Sequence, residues 1–366
     1  MNRGIGSMFT RVASAAALLG CLALASPVRA QAVIKVNDDV KFQFGVLFQG
    51  QADWSQNADE SYTQNLFLRR ARVLIGGSLG KNVTFFFETD SPNMGKAGPT
   101  KNLSNGATST NFFVQDATIS WKLANEFILD GGLVLTGIAH NSLQSAASLI
   151  PVDYGAYSFL FSGPEQNVVG RDTGFQARGY LASSKLEYRV GVWQGNRDTK
   201  SRQAFRTTAR VQYNFLDADT GFYYTGTSLG KKKIFAIGAG CDNQKDYKSY
   251  AVDAYYDHPL GPGALSGQLD WIRYDGGTFL KSLAKQDVIY GEIAYYISAA
   301  KVMPFFTYGN KNIADTSTGD ESRWTLGLGY MAIGHNLNLK AAYGRVEPKN
   351  GKSLNQFTIQ LQAFYF

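Results

Sequence analysis

The stretch Val40-Lys-Phe-Gln-Phe-Gly-Val-Leu-Phe-Gln-Gly-Gln-Ala52 alternates between two kinds of side chain. Its even positions carry valine, phenylalanine, glycine and alanine, whereas lysine and glutamine hold most of the odd positions. Because successive side chains of a strand point to opposite faces, this period of two predicts a β-strand with one apolar and one mainly polar face. Residues 205–215 repeat the pattern, with Phe205 and Phe215 on one face and Arg206 and Arg210 on the other.

Segments of this kind recur along the whole chain. Most of them have the ten or so residues that a tilted strand needs to cross a membrane, and an even number of antiparallel strands is typical of bacterial barrels. The sequence therefore predicts an all-β fold, a transmembrane antiparallel β-barrel of about 16 strands. The segments are residues 40–52, 65–80, 83–90, 112–122, 126–136, 173–182, 185–195, 204–215, 232–242, 248–258, 263–275, 286–297, 301–310, 322–332, 335–345 and 354–366.

The lengths of the links give a second signal. Short and long links alternate, as periplasmic turns and extracellular loops do in outer-membrane barrels. Residues 216–231 break the rule, because sixteen residues stand where a short turn is expected. We expect them to form a periplasmic excursion. The short links are residues 81–82, 123–125, 183–184, 298–300 and 333–334, and the long ones are 53–64, 91–111, 137–172, 276–285 and 311–321.

A soluble β-sandwich also alternates, but the number of long strands favours a barrel, which leaves no backbone edge unpaired in lipid. The chain ends in Phe364-Tyr365-Phe366, and a terminal aromatic residue resembles the signal that the barrel-insertion machinery recognises. The match is imperfect, because Phe357 and Tyr365 share one face of the last strand and Phe366 falls on the other.

The N-terminus has the features of an export signal. Arg3 and Arg11 precede the apolar residues 12–25, and Val28-Arg29-Ala30 is typical of a cleavage site. We predict a signal peptide at residues 1–30, a short periplasmic segment at 31–39, the barrel at 40–366, and a location in the bacterial outer membrane. The alternative is a lipoprotein signal, because residues 18–21 end in Cys21 and resemble a lipobox.

Charge and cysteine content exclude several classes. Removing residues 1–30 takes away three arginines and no acid, so the formal net charge falls from +7 to +4. This mild excess is unlike the clustered basic patch of a nucleic-acid-binding protein, and we expect no nucleic-acid partner. Cys241 then remains as a single thiol, which forms no internal disulfide, and we interpret it as a small wall residue.

Four stretches resemble the family of phosphate-selective porins O and P, and the similarity spans nearly the whole mature chain. Membership implies a sixteen-stranded barrel, usually a homotrimer, that passes small anions. It does not imply phosphate selectivity for every member. The stretches are Phe67-Leu68-Arg69-Arg70-Ala71-Arg72-Val73, the run from Gly170-Arg171-Asp172 to Gly179-Tyr180-Leu181, the run from Phe205-Arg206-Thr207 to Val211-Gln212-Tyr213, and Gly230-Lys231-Lys232-Lys233-Ile234.

The longest link, residues 137–172, is the third extracellular loop by this count. Its residues 139–157 lack the charge of a freely solvated loop, and long ordered loops are commonly functional. We predict that the loop folds into the lumen as a constriction, with an outer lid or a trimer contact as the alternatives. Its candidate residues are His140, Asp153, Glu165 and Arg171.

Inward-facing arginines form the candidate anion path. Guanidinium groups stay charged and bind phosphate in a bidentate way, so a stripe of them along a pore attracts anions. Carboxylates predicted on the same face, such as Glu88 and Asp253, pair with arginines in the alternative interpretation and brace the wall. We favour a weak anion preference. The candidates are Arg70, Arg72, Arg178, Arg189, Arg206 and Arg210.

The sequence does not predict an enzyme, a cofactor or a metal site. His140, His258 and His335 lie far apart, and zinc sites need paired ligands at short intervals. We therefore expect an outer-membrane porin for passive diffusion of small hydrophilic solutes, with small anions as permeants, and with outer-membrane lipid, lipopolysaccharide and the insertion machinery as partners. The alternatives are a non-selective diffusion porin and a plugged barrel with a structural or adhesive role.

Overall fold

The computed structural model describes residues 32–96, 112–159, 170–314 and 319–366. The predicted signal peptide and Glu165 lie outside these residues. Within them, no helix has the length and apolar character needed to cross a membrane. The elements are β1 (Ala32–Lys35), β2 (Val40–Gln56), β3 (Tyr62–Leu79), β4 (Val83–Asp90), β5 (Phe113–Lys122), β6 (Ile128–Leu135), α1 (His140–Leu143), β7 (Arg171–Leu181), β8 (Leu186–Trp193), β9 (Arg206–Asn214), β10 (Ile234–Gln244), β11 (Tyr247–Leu260), β12 (Gly263–Asp275), β13 (Gln286–Ile297), β14 (Val302–Ile313), β15 (Glu321–Tyr330), β16 (Ala332–His335), β17 (Leu337–Pro348) and β18 (Leu354–Tyr365).

The sheet closes into a barrel of sixteen antiparallel strands, namely β2–β15, β17 and β18. Each strand pairs with its sequence neighbours, and β18 pairs with β2 in the register Gln360↔Gln51. β1 pairs with the start of β2, and β16 is a short strand in the link before β17. The predicted fold class and strand number are therefore confirmed.

The side-chain alternation follows the predicted faces. In β9, Arg206, Arg210 and Asn214 are buried on the lumenal side, while Val211 and Tyr213 are exposed on the outside. On β7, Phe175 is 65% exposed on the outer face. An outward band of exposed apolar side chains fits a lipid-facing surface. An aromatic side chain also occurs on the inner face, because β11 turns Tyr255 into the lumen, where it is fully buried.

The links at one end of the barrel are mostly short, as predicted. The chain crosses between β11 and β12, for example, through Gly261 and Pro262 alone. The opposite end carries the link between β6 and β7, which contains α1 and is the third loop on its side of the barrel. We call its described residues 136–159 the lumen loop, because they pack against inward-facing wall residues.

The link between β9 and β10 differs from its prediction. Instead of a periplasmic excursion, residues 219–228 enter the barrel, and Tyr224 and Thr227 are fully buried there. We call residues 219–228 the inner segment. Its tyrosines and phenylalanine are apolar enough to pack under the lumen loop, and this burial accounts for the length of the link.

Candidate pore constriction

The lumen loop folds inward because its apolar side chains pack against apolar side chains on the inner face of the barrel wall. Ile138 and Tyr157 pack against inward side chains such as Ile272 and Val288. Ile150 packs with Met303 and Phe305 on another part of the wall. The small and apolar residues by which this loop stood out in the sequence are therefore buried. A role of the loop as a constriction remains a prediction.

Side-chain donors of β2, β17 and β18 hold the loop backbone on one side. The Lys340 ammonium donates to two loop carbonyl oxygens, at 2.5 and 3.0 Å, and three glutamine amides donate to others at 2.8–3.1 Å. Buried carbonyl groups need such partners, so these four side chains fix the position of the loop. The glutamines are Gln49, Gln360 and Gln362, and the accepting carbonyls belong to Ala146, Ala147, Leu149, Pro151 and Val152.

Carboxylates of β11 and β12 hold the other end of the loop. The backbone N–H groups of His140 and Asn141 each donate to a carboxylate, Asp253 and Asp270 respectively, at 3.2 Å. The His140 ring is stacked between two tyrosine rings, with centroid distances of 4.9 and 4.1 Å. Burial in this loop lowers the pKa of His140 to about 4, so the imidazole is neutral at pH 7.

A β-bulge brings two guanidinium groups to Asp153 of the lumen loop, and we call the part of the loop around this residue the loop tip. The register between β2 and β3 shifts at Gln49, so that Arg69 and Arg70 both reach the Asp153 carboxylate. The distances are 2.6 Å from Arg69 Nε and 2.8 Å from Arg70 Nη2. Burial alone raises the pKa of this loop carboxyl, but the two guanidinium groups outweigh it and hold the pKa well below its usual range. The loop tip thus carries two positive charges against one negative charge.

The inner segment joins the lumen loop through its backbone. The Ser145 N–H donates to the Tyr224 carbonyl and the Tyr224 N–H donates to the Leu143 carbonyl, both at 2.9 Å. The Gly226 N–H donates to Ser148 Oγ, also at 2.9 Å. Two segments from opposite ends of the barrel therefore meet in its middle. The sequence signal for this contact was the aromatic run Phe222-Tyr223-Tyr224 in a link that should have been polar.

Two large cavities lie in the described part of the lumen, and Tyr154 lines both of them. The outer cavity, of about 290 Å³, lies above the loop tip and contacts Arg69, Lys96 and Asp153. The inner cavity, of about 280 Å³, lies below it and contacts Arg72 and Phe366. The Tyr154 hydroxyl donates to the Gln144 carbonyl at 2.7 Å, which fixes the ring between the cavities.

All six arginines of the predicted anion path lie on the lumenal side, and each forms an ion pair. Of the six, only Arg72 and Arg178 line one of the two large cavities. Arg171, predicted in the loop, begins β7 and pairs with Asp116. The pairs of the six are Arg70–Asp153, Arg72 with Glu88 and Asp90, Arg178–Asp130, Arg189–Glu187, Arg206 with Asp172 and Asp242, and Arg210–Asp253.

The histidine, serine and aspartate of the lumen loop do not form a catalytic chain. The Ser142 hydroxyl donates to the Ala139 carbonyl at 2.8 Å, while His140 stacks on tyrosines and Asp153 binds arginines. Hydrolases of the serine type need the hydroxyl within hydrogen-bond reach of the base, and the described contacts do not provide that arrangement.

A closed antiparallel barrel with an apolar outer band and a loop inside its lumen belongs to the porin type of outer-membrane barrel. This architecture locates the chain in the bacterial outer membrane.

Comparison with known proteins supports the fold. No family model and no curated protein matches the sequence. Among solved structures, the fold is similar to OmpF of Salmonella typhi in complex with daunomycin, at 14% identity over 91% of this chain and 100% of that chain, with a TM-score of 0.62. It is also similar to the outer membrane channel DcaP of Acinetobacter baumannii, at 11% identity over 91% and 99% of the two chains, with a TM-score of 0.57.

An anion-selective porin from Comamonas acidovorans is similar at 11% identity, over 89% of this chain and 100% of that chain, with a TM-score of 0.56. At such identities the likeness establishes the porin-type fold. The resemblance to the phosphate-selective porins O and P stays a prediction.

Proposed function

We propose that this chain is an outer-membrane porin for passive diffusion of small hydrophilic solutes, with the tip of the lumen loop as its constriction. The observation that carries the proposal is that one side chain, Tyr154, lines both the outer and the inner cavity. Solutes pass from one cavity to the other beside Tyr154, Asp153 and the two arginines of the bulge. Among the described residues, the lumen loop and the inner segment occupy much of the rest of the lumen.

The charge balance at the loop tip supports a weak preference for anions such as phosphate. Arg69 and Arg70 bring two positive charges to this level of the barrel, and Asp153 between them carries one negative charge. A surplus of one positive charge in a narrow, low-dielectric passage raises the local concentration of anions.

A non-selective diffusion porin is the second candidate, and the ion pairs of the wall favour it. Arg189, Arg206 and Arg210 are bonded to carboxylates at 2.5–3.3 Å. A guanidinium group held by a carboxylate contributes little net field beyond the pair. In this case the wall arginines stabilise the barrel around the lumen loop and the inner segment. Any ion selectivity then depends on the loop tip alone.

Single-channel recording in a planar bilayer under a potassium chloride gradient, with and without added phosphate, tests the proposal. A reversal potential set by chloride supports the anion preference, and block by millimolar phosphate adds a binding site of modest affinity. A reversal potential near zero, or one set by potassium, is compatible with the porin function but contradicts the anion preference. Absence of conductance overturns the porin in favour of a plugged surface barrel.

We also propose a homotrimer. The wall is low from β4 to β9, since β4, β6 and β8 have eight residues each. Tilted by about 45°, eight residues rise only about 19 Å, less than the apolar band of about 25 Å of such barrels. Contact with neighbouring subunits covers a low wall better than lipid does. Native mass spectrometry of the folded protein tests this assembly, and a monomer at all detergent concentrations contradicts it.

A further inference from the structure

The inner cavity is unusually aromatic for the lumen of a barrel of this type, whose interior is normally polar. Phe86 packs edge-to-face with Tyr223 of the inner segment at 5.9 Å and with Phe366 at 5.6 Å between ring centroids. Tyr154 of the lumen loop lines the cavity on the side that faces the outer cavity. Rings from a wall strand, the lumen loop, the inner segment and the C-terminus therefore surround one space of about 280 Å³.

The C-terminal residue reaches this space because two glycines make room for its ring. A side chain at Gly76 would place its Cβ 2.8 Å from the Phe366 ring, and one at Gly45 would place it 2.7 Å from the same ring. Phe366 therefore lies inside the barrel, in agreement with its position on the opposite face from Tyr365. The C-terminal ring is part of the cavity wall.

A buried hydrogen-bond donor adds a polar anchor. Gln144 lines the cavity and is 1% exposed. Its Oε1 accepts hydrogen bonds from Asn141 at 2.8 Å and from Gln268 at 3.0 Å, and these two donors fix the orientation of the amide. Within the described residues its Nε2 has no hydrogen-bond partner. A buried donor without a partner is costly, and a ligand with an acceptor atom would satisfy it.

The charges around the cavity favour a neutral ligand. Three arginines line it, and each is bonded to carboxylates, four of them in all. Each guanidinium group at the cavity is thus neutralised by at least one carboxylate, so the cavity offers no unpaired positive charge that would favour an anionic ligand. The arginines are Arg72, Arg171 and Arg178, and the carboxylates belong to Glu88, Asp90, Asp116 and Asp130.

We infer that the inner cavity is a binding site for a small uncharged aromatic solute that carries a hydrogen-bond acceptor. Its ring lies among Phe86, Tyr223 and Phe366, and its acceptor faces Gln144 Nε2. The volume suits a substituted single ring, since an apolar cavity of about 150 Å³ already holds benzene. The role of the site for permeating solutes rests on the proposed porin function, whereas binding itself does not.

Isothermal titration of the detergent-folded protein with benzamide tests the site. Benzamide is a neutral ring with a carbonyl acceptor, cyclohexanecarboxamide has the same acceptor without the aromatic ring, and benzoate carries a charge. We expect benzamide to bind with an affinity on the order of millimolar, at least about fivefold more tightly than either analogue. Equal binding of benzamide and cyclohexanecarboxamide, or tighter binding of benzoate, overturns the inference.

Two variants and one control locate the site. Phe86→Leu and Gln144→Leu should each weaken benzamide binding by about fivefold, whereas Phe67→Leu removes an aromatic ring of the outer cavity and should leave it unchanged. Heat-modifiable migration on gels confirms that each variant is folded. Unchanged binding in the folded Phe86→Leu and Gln144→Leu proteins overturns the site.

Conductance is measured on the same preparations. If the barrel conducts but does not bind benzamide selectively, the porin function stands and the proposed binding site is overturned. If the barrel binds benzamide but does not conduct, the binding site stands and the porin function is overturned.

Discussion

Replacement of Asp153 by asparagine isolates the charge at the loop tip. The carboxylate stands between Arg69 and Arg70, at 2.6 and 2.8 Å, and the amide keeps its size and an acceptor oxygen. A unit charge about 8 Å from a permeating ion in water changes the energy of that ion by ~0.5 kcal/mol. Loss of the negative charge therefore raises the local concentration of chloride and lowers that of potassium, each by roughly twofold. We expect the permeability ratio of chloride to potassium to rise by roughly fivefold.

The assay is the reversal potential in a planar bilayer under a tenfold gradient of potassium chloride, compared between wild type and Asp153→Asn. Glu60→Gln is the matched control, because it removes the same charge from a side chain that is 68% exposed at the tip of the link between β2 and β3. Screening leaves a distant exposed charge with little effect. Arg69→Gln should shift the ratio in the opposite direction. An unchanged reversal potential in a folded Asp153→Asn barrel refutes the loop tip as the constriction.

Three further changes test the filling of the lumen. Lys340→Met leaves two loop carbonyls without their donor, so open-channel current noise should increase, whereas Lys301→Met, in an exposed turn, should not change it. Replacement of residues 219–228 by a short glycine-serine turn should raise single-channel conductance at least about twofold, since it empties part of the lumen; an unchanged value places the inner segment outside the ion path. Gly45→Ala puts a Cβ 2.2 Å from the Tyr365 carbonyl oxygen and should lower the yield of heat-modifiable folded protein, whereas Gly50→Ala, with no atom within 4 Å, should fold normally.

The strands could be read from the sequence because the wall of a barrel imposes a strict local rule. Each residue faces either lipid or lumen, so a period of two survives in segments such as Val40–Gln56. The loop that enters the lumen was also recognisable, since residues 139–157 lack the charges that a solvated loop carries. Both signals depend only on neighbouring residues and on whether they contact water.

The remaining features depend on contacts between distant residues. The inner segment and the lumen loop meet through Tyr224 and Gln144, which are 80 positions apart in the chain, and no local pattern encodes that contact. Alternation alone places the consecutive residues Arg69 and Arg70 on opposite faces of β3. Both reach Asp153 because of a β-bulge, which is a register shift between β2 and β3. Phe366 points into the barrel because Gly45 and Gly76 leave space for its ring, and these glycines lie far from Phe366 in the sequence.

The arrangement of charges separates two tasks within one lumen. The wall arginines beneath the lumen loop, such as Arg206 and Arg210, are buried against carboxylates, and breaking such a pair typically costs about 3–5 kcal/mol. Substitutions there should therefore affect folding before selectivity. At the loop tip, the charges are unequal in number and adjoin the outer cavity, so a change there alters the field on a passing ion at smaller structural cost. On the proposed function, we therefore expect the ion preference of this barrel to depend on residues of the loop tip and the β3 bulge, even though most of the described lumenal arginines lie elsewhere.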